Sequence, residues 1–438
     1  MSRAPRVVVT GVGVVSAWGW GLEPFAAGLD SGETAIGDFT RVDHTAYRTH
    51  VAGEVPAPPP ELPASVPGWR RMAWADRFAA AAAREALAQA GLSLPLTVGG
   101  SPAAEATGVF FGSSTGGMLE GEEWYVRVSG HGGDENGEGD AANAPPATPA
   151  KAPLNLLVHQ QVSSPGETVA RMVGCGGPVE TVSSACASGT LALGRALEAL
   201  RSGEVEMALA GGSDSLCRVT YGGFNSLRSV DEAPCRPFRT DRAGLSIGEG
   251  GAVLVLETEA AAARRGARPL AVVAGASATG DATHMTAPHP QGEGAARALD
   301  RALADAGLSP AEVAFINAHG TGTPLNDAAE GRALEAVFGG AARGLPLAAT
   351  KASVGHLLGS AGAVEAVATL LTLLDGRLPP TPGGGDVDPE IGIDLVLDAP
   401  RAVPGDGACA AVSLNLAFGG CNAAVVFTPS PAASPRSR

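Results

Sequence analysis

The sequence predicts an α/β protein made of two similar halves, in which buried strands form a largely parallel sheet with helices on its faces. Three observations carry that expectation. Short apolar runs that end at Gly alternate with stretches of about 10 to 20 residues at helical period, the pattern of strand and crossover helix. Hydrophobic residues make up 45% of the 438 and charged residues 17%, which excludes a mainly disordered chain. Aromatics are only 4% while Gly numbers 61, so the core is built from Ala, Val and Leu, with elements approaching closely across Gly.

Taken in order, Arg6-Val-Val-Val-Thr-Gly11 opens the chain as a buried strand and turn. Its Val/Gly alternation lacks the Leu/Ala helix and cleavage site of a signal peptide. Met72 to Gln89 is a long Ala-rich helix with Gly91 placed as its left-handed cap. Gly108-Val-Phe-Phe-Gly112 is a second strand. The stretch at about 128–153, Gly-rich and acidic from Ser129 to Asp140 and then Pro/Ala-rich to Pro153, reads as a mobile surface loop or lid. Ser183 to Gly189 starts a helix that continues through Leu191 to Arg201, and Ala252 to Leu256 closes the half.

The same order then recurs. Leu270 to Gly275 answers the first strand, Val313 to Asn317 the second, Ala349 to Gly355 the small-residue helix start, and Ala423 to Phe427 the closing strand. The halves therefore meet near residue 265, giving 1–265 and 266–428, with a Pro/Ser/Arg-rich tail at 429–438 expected to be disordered. No run approaches about 18 apolar residues, so no membrane span is expected.

The formal charge is -15, which argues against nucleic acid or an anionic membrane surface as a partner. An acidic partner would need a local Arg patch. Cys175, Cys186, Cys217, Cys235, Cys409 and Cys421 form no C-x-x-C pair. That fits neither a disulfide framework nor a zinc site and points to a reducing, cytoplasmic compartment.

Chemistry gathers at a few positions. Cys186 follows an apolar strand and directly precedes a helix, where unpaired backbone amides favour an anion and lower a thiol pKa. A lone Cys is more often structural, so partners decide. His319 lies in Phe315-Ile-Asn-Ala-His-Gly-Thr-Gly-Thr-Pro324, at the carboxyl end of a strand. His356 lies in Lys351-Ala-Ser-Val-Gly-His-Leu-Leu-Gly-Ser-Ala-Gly362, the repeat equivalent of the Cys186 segment. Pseudo-symmetry brings those two helix starts together. The chain has 28 Arg and only two Lys, Lys151 and Lys351, which suggests that Lys351 supplies an amine Arg cannot imitate. Glu365, in an otherwise apolar helix, is a candidate partner for it, with Glu330 as a second.

These motifs, in this order from Arg6 to Phe427, resemble the beta-ketoacyl-ACP synthases, the type I/II condensing enzymes of the thiolase superfamily. The resemblance implies a thiolase-like, duplicated α-β-α-β-α layered fold. It implies that Cys186 of Ala-Cys-x-Ser-Gly carries the acyl chain and that His319 and His356 assist decarboxylation of malonyl-ACP. It assigns Lys351 to the family lysine, Glu365 to its acid, and Thr321 and Thr323 to the phosphopantetheine arm. The oxyanion of the acyl thioester would be held by the amides of Cys186 and Phe418, and the Phe418 segment would gate the acyl site. Pro237-Phe-Arg-Thr-Asp-Arg-Ala-Gly244 is similar to a further family segment.

The implied activity is a decarboxylative condensation in fatty acid or in polyketide or polyene biosynthesis, with no metal or organic cofactor. The implied partners are an acyl carrier protein and a second subunit, identical or related. Arg70, Arg71 and Arg77, at the start of the Ala-rich helix, are the candidate carrier-docking patch.

Some residues depart from the family pattern. Asn415-Leu-Ala-Phe-Gly-Gly-Cys-Asn422 has Ala417 for Gly and Cys421 for Thr in the gate, and the acidic stretch Asp134 to Asp140 has no counterpart. Three rival readings stand beside the main one. They are a thiolase using Cys421 as a second cysteine, a non-catalytic chain-length partner subunit, and a dinucleotide fingerprint at Gly11-Val-Gly-Val-Val-Ser16 that lacks its third Gly.

Overall fold

The computed structural model describes residues 4–96, 104–129, 153–405 and 410–431. The expected lid lies almost wholly outside the described residues, as do Cys409 and most of the tail. The main strands are β1 (Val7–Ser16), β2 (Thr107–Gly112), β3 (Val179–Val182), β4 (Met207–Asp214), β5 (Gly250–Thr258), β6 (Ala271–Gly280), β7 (Val313–Asn317), β8 (Pro346–Ala348), β9 (Asp394–Leu395), β10 (Ala410–Leu416) and β11 (Cys421–Pro429). They lie in the order β9-β8-β7-β10-β11-β6-β1-β5-β4-β2-β3.

β1 and β6 meet antiparallel at Val7↔Val273, Val8↔Val272 and Val9↔Ala271. Outward from β1 come the fifth, fourth, second and third strands of the first half. Outward from β6 comes the same sequence of the second half, with the short β9 added at its edge. The sheet is mixed rather than largely parallel. β2 is parallel to β3 and β4, and β7 to β8 and β10, but β5 and β11 run antiparallel to both of their neighbours. Burial on both faces makes these runs continuously apolar, and that signal does not depend on strand direction.

Helices α1 (Trp74–Gln89), α2 (Ser188–Ser202), α3 (Glu293–Ala306), α4 (Pro324–Phe338) and α5 (Ala361–Asp375) complete five layers. Leu193, Leu197 and Leu200 of α2 and Val364, Val367 and Leu370 of α5 share one core with Phe110, Leu254, Val425 and Phe427. These two helices therefore touch strands of both halves. On the opposite strand faces, Val109, Phe111 and Leu209 pack under α1, while Ile316, Val412 and Val426 pack under α3 and α4. The period of two in each strand separates the two sets. The stretch Leu358–Asp375 has a mean hydropathy of 1.4 over 18 residues, long and apolar enough to cross a membrane by length and composition alone. It is 83% buried, because α5 is the inner layer.

Two close approaches use glycine. A Cβ on Gly11 would meet the Ala86 carbonyl oxygen at 2.0 Å, and one on Gly13 that of Ala82 at 2.0 Å. The Val/Gly alternation thus serves the contact of β1 with α1, and the dinucleotide reading fails because these glycines lie inside a strand. A Cβ on Gly189 would meet Ala363 N at 2.7 Å, so α2 and α5 cross almost backbone to backbone. That crossing fixes Cys186, just before α2, relative to His356, just before α5.

Candidate active site

Cys186 sits on a sharp turn between β3 and α2. Ala185 before it has φ 44, a conformation that costs a non-glycine residue energy and is usually held by its surroundings. Here the Ala185 carbonyl accepts from Ser188 Oγ at 2.6 Å and from Ser114 Oγ at 3.1 Å. The thiol is buried, and burial pushes it up to about 11 against the opposing pull of Lys351 and the backbone N–H groups of Phe418 and Cys186. This reverses the lowered pKa expected from the helix start. Desolvation outweighs the helix amides, so the resting group is a thiol.

His319 stands in the loop after β7. Its backbone N–H and that of Gly320 donate to Glu330 at 2.6 and 2.9 Å, which anchors the loop to α4. Burial pushes Glu330 up to about 8. Glu330 therefore holds the histidine loop and is not the ion-pair partner of Lys351. That partner is Glu365: Lys351 Nζ pairs with Glu365 Oε1 and also donates to His319 O at 2.6 Å and His319 Nδ1 at 3.0 Å. Asn415 Nδ2 donates to Glu365 Oε2 at 2.6 Å and lies 3.2 Å from His319 Nδ1. With donors aimed at Nδ1, the hydrogen-bond network assigns the proton of His319 to Nε2.

His356 reaches the same tautomer by another route. The N–H of Leu358, itself at φ 54, donates to His356 Nδ1 at 3.1 Å, and Nε2 has no partner among the described residues. The first half clamps its backbone, since His356 N donates to Ser246 O at 2.7 Å and Gly248 N to His356 O at 2.9 Å. The two imidazoles stand edge to face with centroids 5.5 Å apart. Burial, with Lys351 nearby, holds both well below the ordinary value of 6.5, so they are neutral hydrogen-bond donors.

Cys186, His319 and His356 line one cavity of about 310 Å³ with Thr321, Thr323 and Phe418. Their sulfur and nitrogen atoms lie within 4.8 Å of one another, a spacing that could hold a metal ion. The assigned tautomers put a proton on each Nε2, where a ligand lone pair would be needed, so this donor set does not fit a metal. The hydroxyls of Thr321 and Thr323 are 2.9 Å apart on the wall. The Phe418 ring lies 5.8 Å from that of Phe224, and Gly419 N donates to Met285 O at 2.7 Å.

Comparison with known proteins agrees with this geometry. Residues 4–262 match the family model described as beta-ketoacyl synthase, N-terminal domain, and residues 270–384 the one described as beta-ketoacyl synthase, C-terminal domain. The chain belongs to the beta-ketoacyl synthase family. It is 34% identical over 433 residues to 3-oxoacyl-[acyl-carrier-protein] synthase 2 of Staphylococcus aureus (strain COL), covering 98% of this chain and 99% of that one. The ishigamide ketosynthase/chain length factor superposes with a TM-score of 0.87 at 32% identity, covering 98% and 100%. The type II PKS acyl-carrier protein in complex with its ketosynthase bound to the hexaketide, AntDE:AntF, gives 0.84 at 29%, with the same coverage. The protein is an acyltransferase, a beta-ketoacyl synthase of fatty acid or polyketide biosynthesis with the thiolase-like fold.

Within this beta-ketoacyl synthase, the thiolase alternative finds no support at Cys421. That residue begins β11, pairs with Gly280, and is not among the residues lining the cavity. Of the candidate docking residues, Arg70 and Arg71 are exposed. Arg77 is folded back: its guanidinium lies 4.8 Å from the centre of the Trp74 ring, and Nε donates to Trp69 O at 3.2 Å. The sequence reading gave no role to Asn415, which also accepts from Thr190 of α2, or to Asp214. Each is a polar residue at the end of a buried apolar strand, where the cost of burying an unpaired group was the available signal.

Proposed function

We propose that Cys186 takes the acyl chain from an acyl carrier protein as a thioester and condenses it with malonyl-ACP. In the first step the Cys186 sulfur attacks the acyl carbonyl, the carbon–sulfur bond to the phosphopantetheine arm breaks, and the thiol proton passes to the departing sulfur. In the second, malonyl-ACP loses CO2 and the released electron pair enters its thioester as an enolate. The Nε2–H groups of His319 and His356 stabilise that oxyanion. The enolate carbon attacks the Cys186 thioester, whose own oxyanion meets the N–H groups of Cys186 and Phe418. Collapse expels the Cys186 thiolate, which takes up one proton, and releases beta-ketoacyl-ACP.

The observation that carries this reading is the pair of imidazoles beside the Cys186 sulfur, each with a donor at Nδ1. A chain-length subunit without catalysis would not need that arrangement. Thr321 and Thr323 contact the phosphopantetheine arm, and the chemistry uses no metal or organic cofactor.

Arg70 and Arg71 receive the carrier, a partner also present in the AntDE:AntF complex. A second subunit, identical or related, covers the edge beyond β3, where Val179 is 41% exposed and no further strand lies among the described residues. Pairing of a ketosynthase with a chain length factor in solved relatives supports this. The cysteines Cys175, Cys186, Cys217, Cys235 and Cys421 are free thiols, in keeping with a cytoplasmic setting.

The test incubates the protein with acyl-ACP and malonyl-ACP and counts CO2 against beta-ketoacyl product. Equal amounts are expected, with His319→Ala and His356→Ala still acylated but releasing little CO2. Condensation of two acyl-CoA molecules without CO2 release would overturn the reading.

A further inference from the structure

β4 and β10 hold equivalent places in the two halves, and each carries near its end a buried polar side chain that crosses to the other half. On β10 it is Asn415, which reaches Thr190 at the start of α2. On β4 it is Asp214, which is fully buried. Its Oδ1 accepts from Ser113 Oγ at 2.7 Å, Thr115 N at 2.8 Å and Thr115 Oγ1 at 2.9 Å. Its Oδ2 accepts from Gly359 N, in the second half, at 2.7 Å, and Ser114 N bridges both oxygens at 2.9 Å.

Both ends of this clamp lead to the chemistry. Ser114 Oγ donates to the carbonyl of Ala185, the strained residue before Cys186. Gly359 follows Leu358, whose N–H sets the tautomer of His356. One carboxylate thus holds the loop Ser113 to Gly116 with one oxygen and the histidine segment with the other, and that loop in turn holds the cysteine turn through Ser114. Only an acceptor at both oxygens satisfies all of these donors.

We propose that Asp214 is a positioning residue for the condensation step, setting His356 against Cys186 through Gly359 and the loop Ser113 to Gly116. This rests on the decarboxylating role given above to His356. In Asp214→Asn the amide oxygen can keep the donors of the loop, while its NH2 faces the single N–H of Gly359. The histidine segment shifts and the cysteine turn stays.

The experiment follows two half-reactions of the full chain: acylation of Cys186 by acyl-ACP, read by intact mass, and CO2 release from malonyl-ACP by the acylated enzyme. For Asp214→Asn, acylation is expected within about threefold of the parent. CO2 release should fall in kcat by about tenfold or more with KM for malonyl-ACP unchanged, because small misplacements of a donor are costly in the transition state. Asp214→Ser, whose hydroxyl oxygen can still accept from the loop Ser113 to Gly116 but is too short to serve Gly359 N as well, should show the same split, and it decides the matter if Asp214→Asn does not fold. Equal loss of both half-reactions, or undiminished CO2 release, overturns the role of Asp214. A parent enzyme that neither acylates Cys186 nor releases CO2 would instead overturn the condensing reading, and the role of Asp214 with it.

Discussion

Lys351 donates to both Nδ1 and the carbonyl oxygen of His319, at 3.0 and 2.6 Å, while its remaining donor capacity goes to Glu365. One compact amine thereby fixes a histidine at its ring and at its backbone. Three converging acceptors suit an ammonium, whose donors radiate from one atom, and not a planar guanidinium.

Lys351→Arg is therefore expected to lose condensation almost as completely as Lys351→Ala, by about a hundredfold or more. CO2 release from malonyl-ACP is the assay, with circular dichroism confirming the fold. Near-normal turnover by the Arg variant would mean that a positive charge alone suffices.

Burial of Cys186 sets its reactivity toward small electrophiles. With the thiol pushed up to about 11, the thiolate fraction is small at neutral pH. Alkylation by iodoacetamide should accelerate about tenfold per pH unit between 7 and 9, with no plateau. The rate is read from the modified peptide, since Cys217 and Cys235 are also pushed up, to about 12 and about 11. A plateau at neutral pH would show a stabilised thiolate.

The layered halves were legible because their signals are local. Gly-bounded apolar runs, the recurring order of motifs and the helix start at Cys186 all survive in a single sequence, and pseudo-symmetry alone placed Cys186 beside His356. Strand direction was not legible, since β5 is as continuously apolar as its parallel counterparts. The thiol pKa was misjudged because the sequence displays the helix start but not the burial. Asn415 and Asp214 escaped notice because their partners, Thr190 and Gly359, lie more than a hundred residues away in the chain.

The crossing of α2 and α5 leaves no room at Gly362, where a Cβ would meet Thr190 Oγ1 at 2.1 Å and Thr190 N at 2.7 Å. Gly362→Ala should cost about 1–3 kcal/mol of stability, as overpacking of a tight core does. Thermal denaturation measures the loss, and a variant as stable as the parent would show that the helices separate freely.

Arg70→Glu combined with Arg71→Glu is expected to raise KM for acyl-ACP and flatten its dependence on salt. Acylation by a small thioester without the carrier should be unchanged. Arg77→Glu should behave differently, lowering stability through the loss of its stacking on Trp74. Unchanged KM in the double variant would place the carrier on another surface.

The most direct measurement is peptide mapping after the protein is loaded by acyl-ACP and then chased with malonyl-ACP. The acyl group should sit on Cys186 alone and leave it as beta-ketoacyl-ACP in step with CO2 release. An acyl group on Cys421, or one on Cys186 that malonyl-ACP does not discharge, would contradict the assignment.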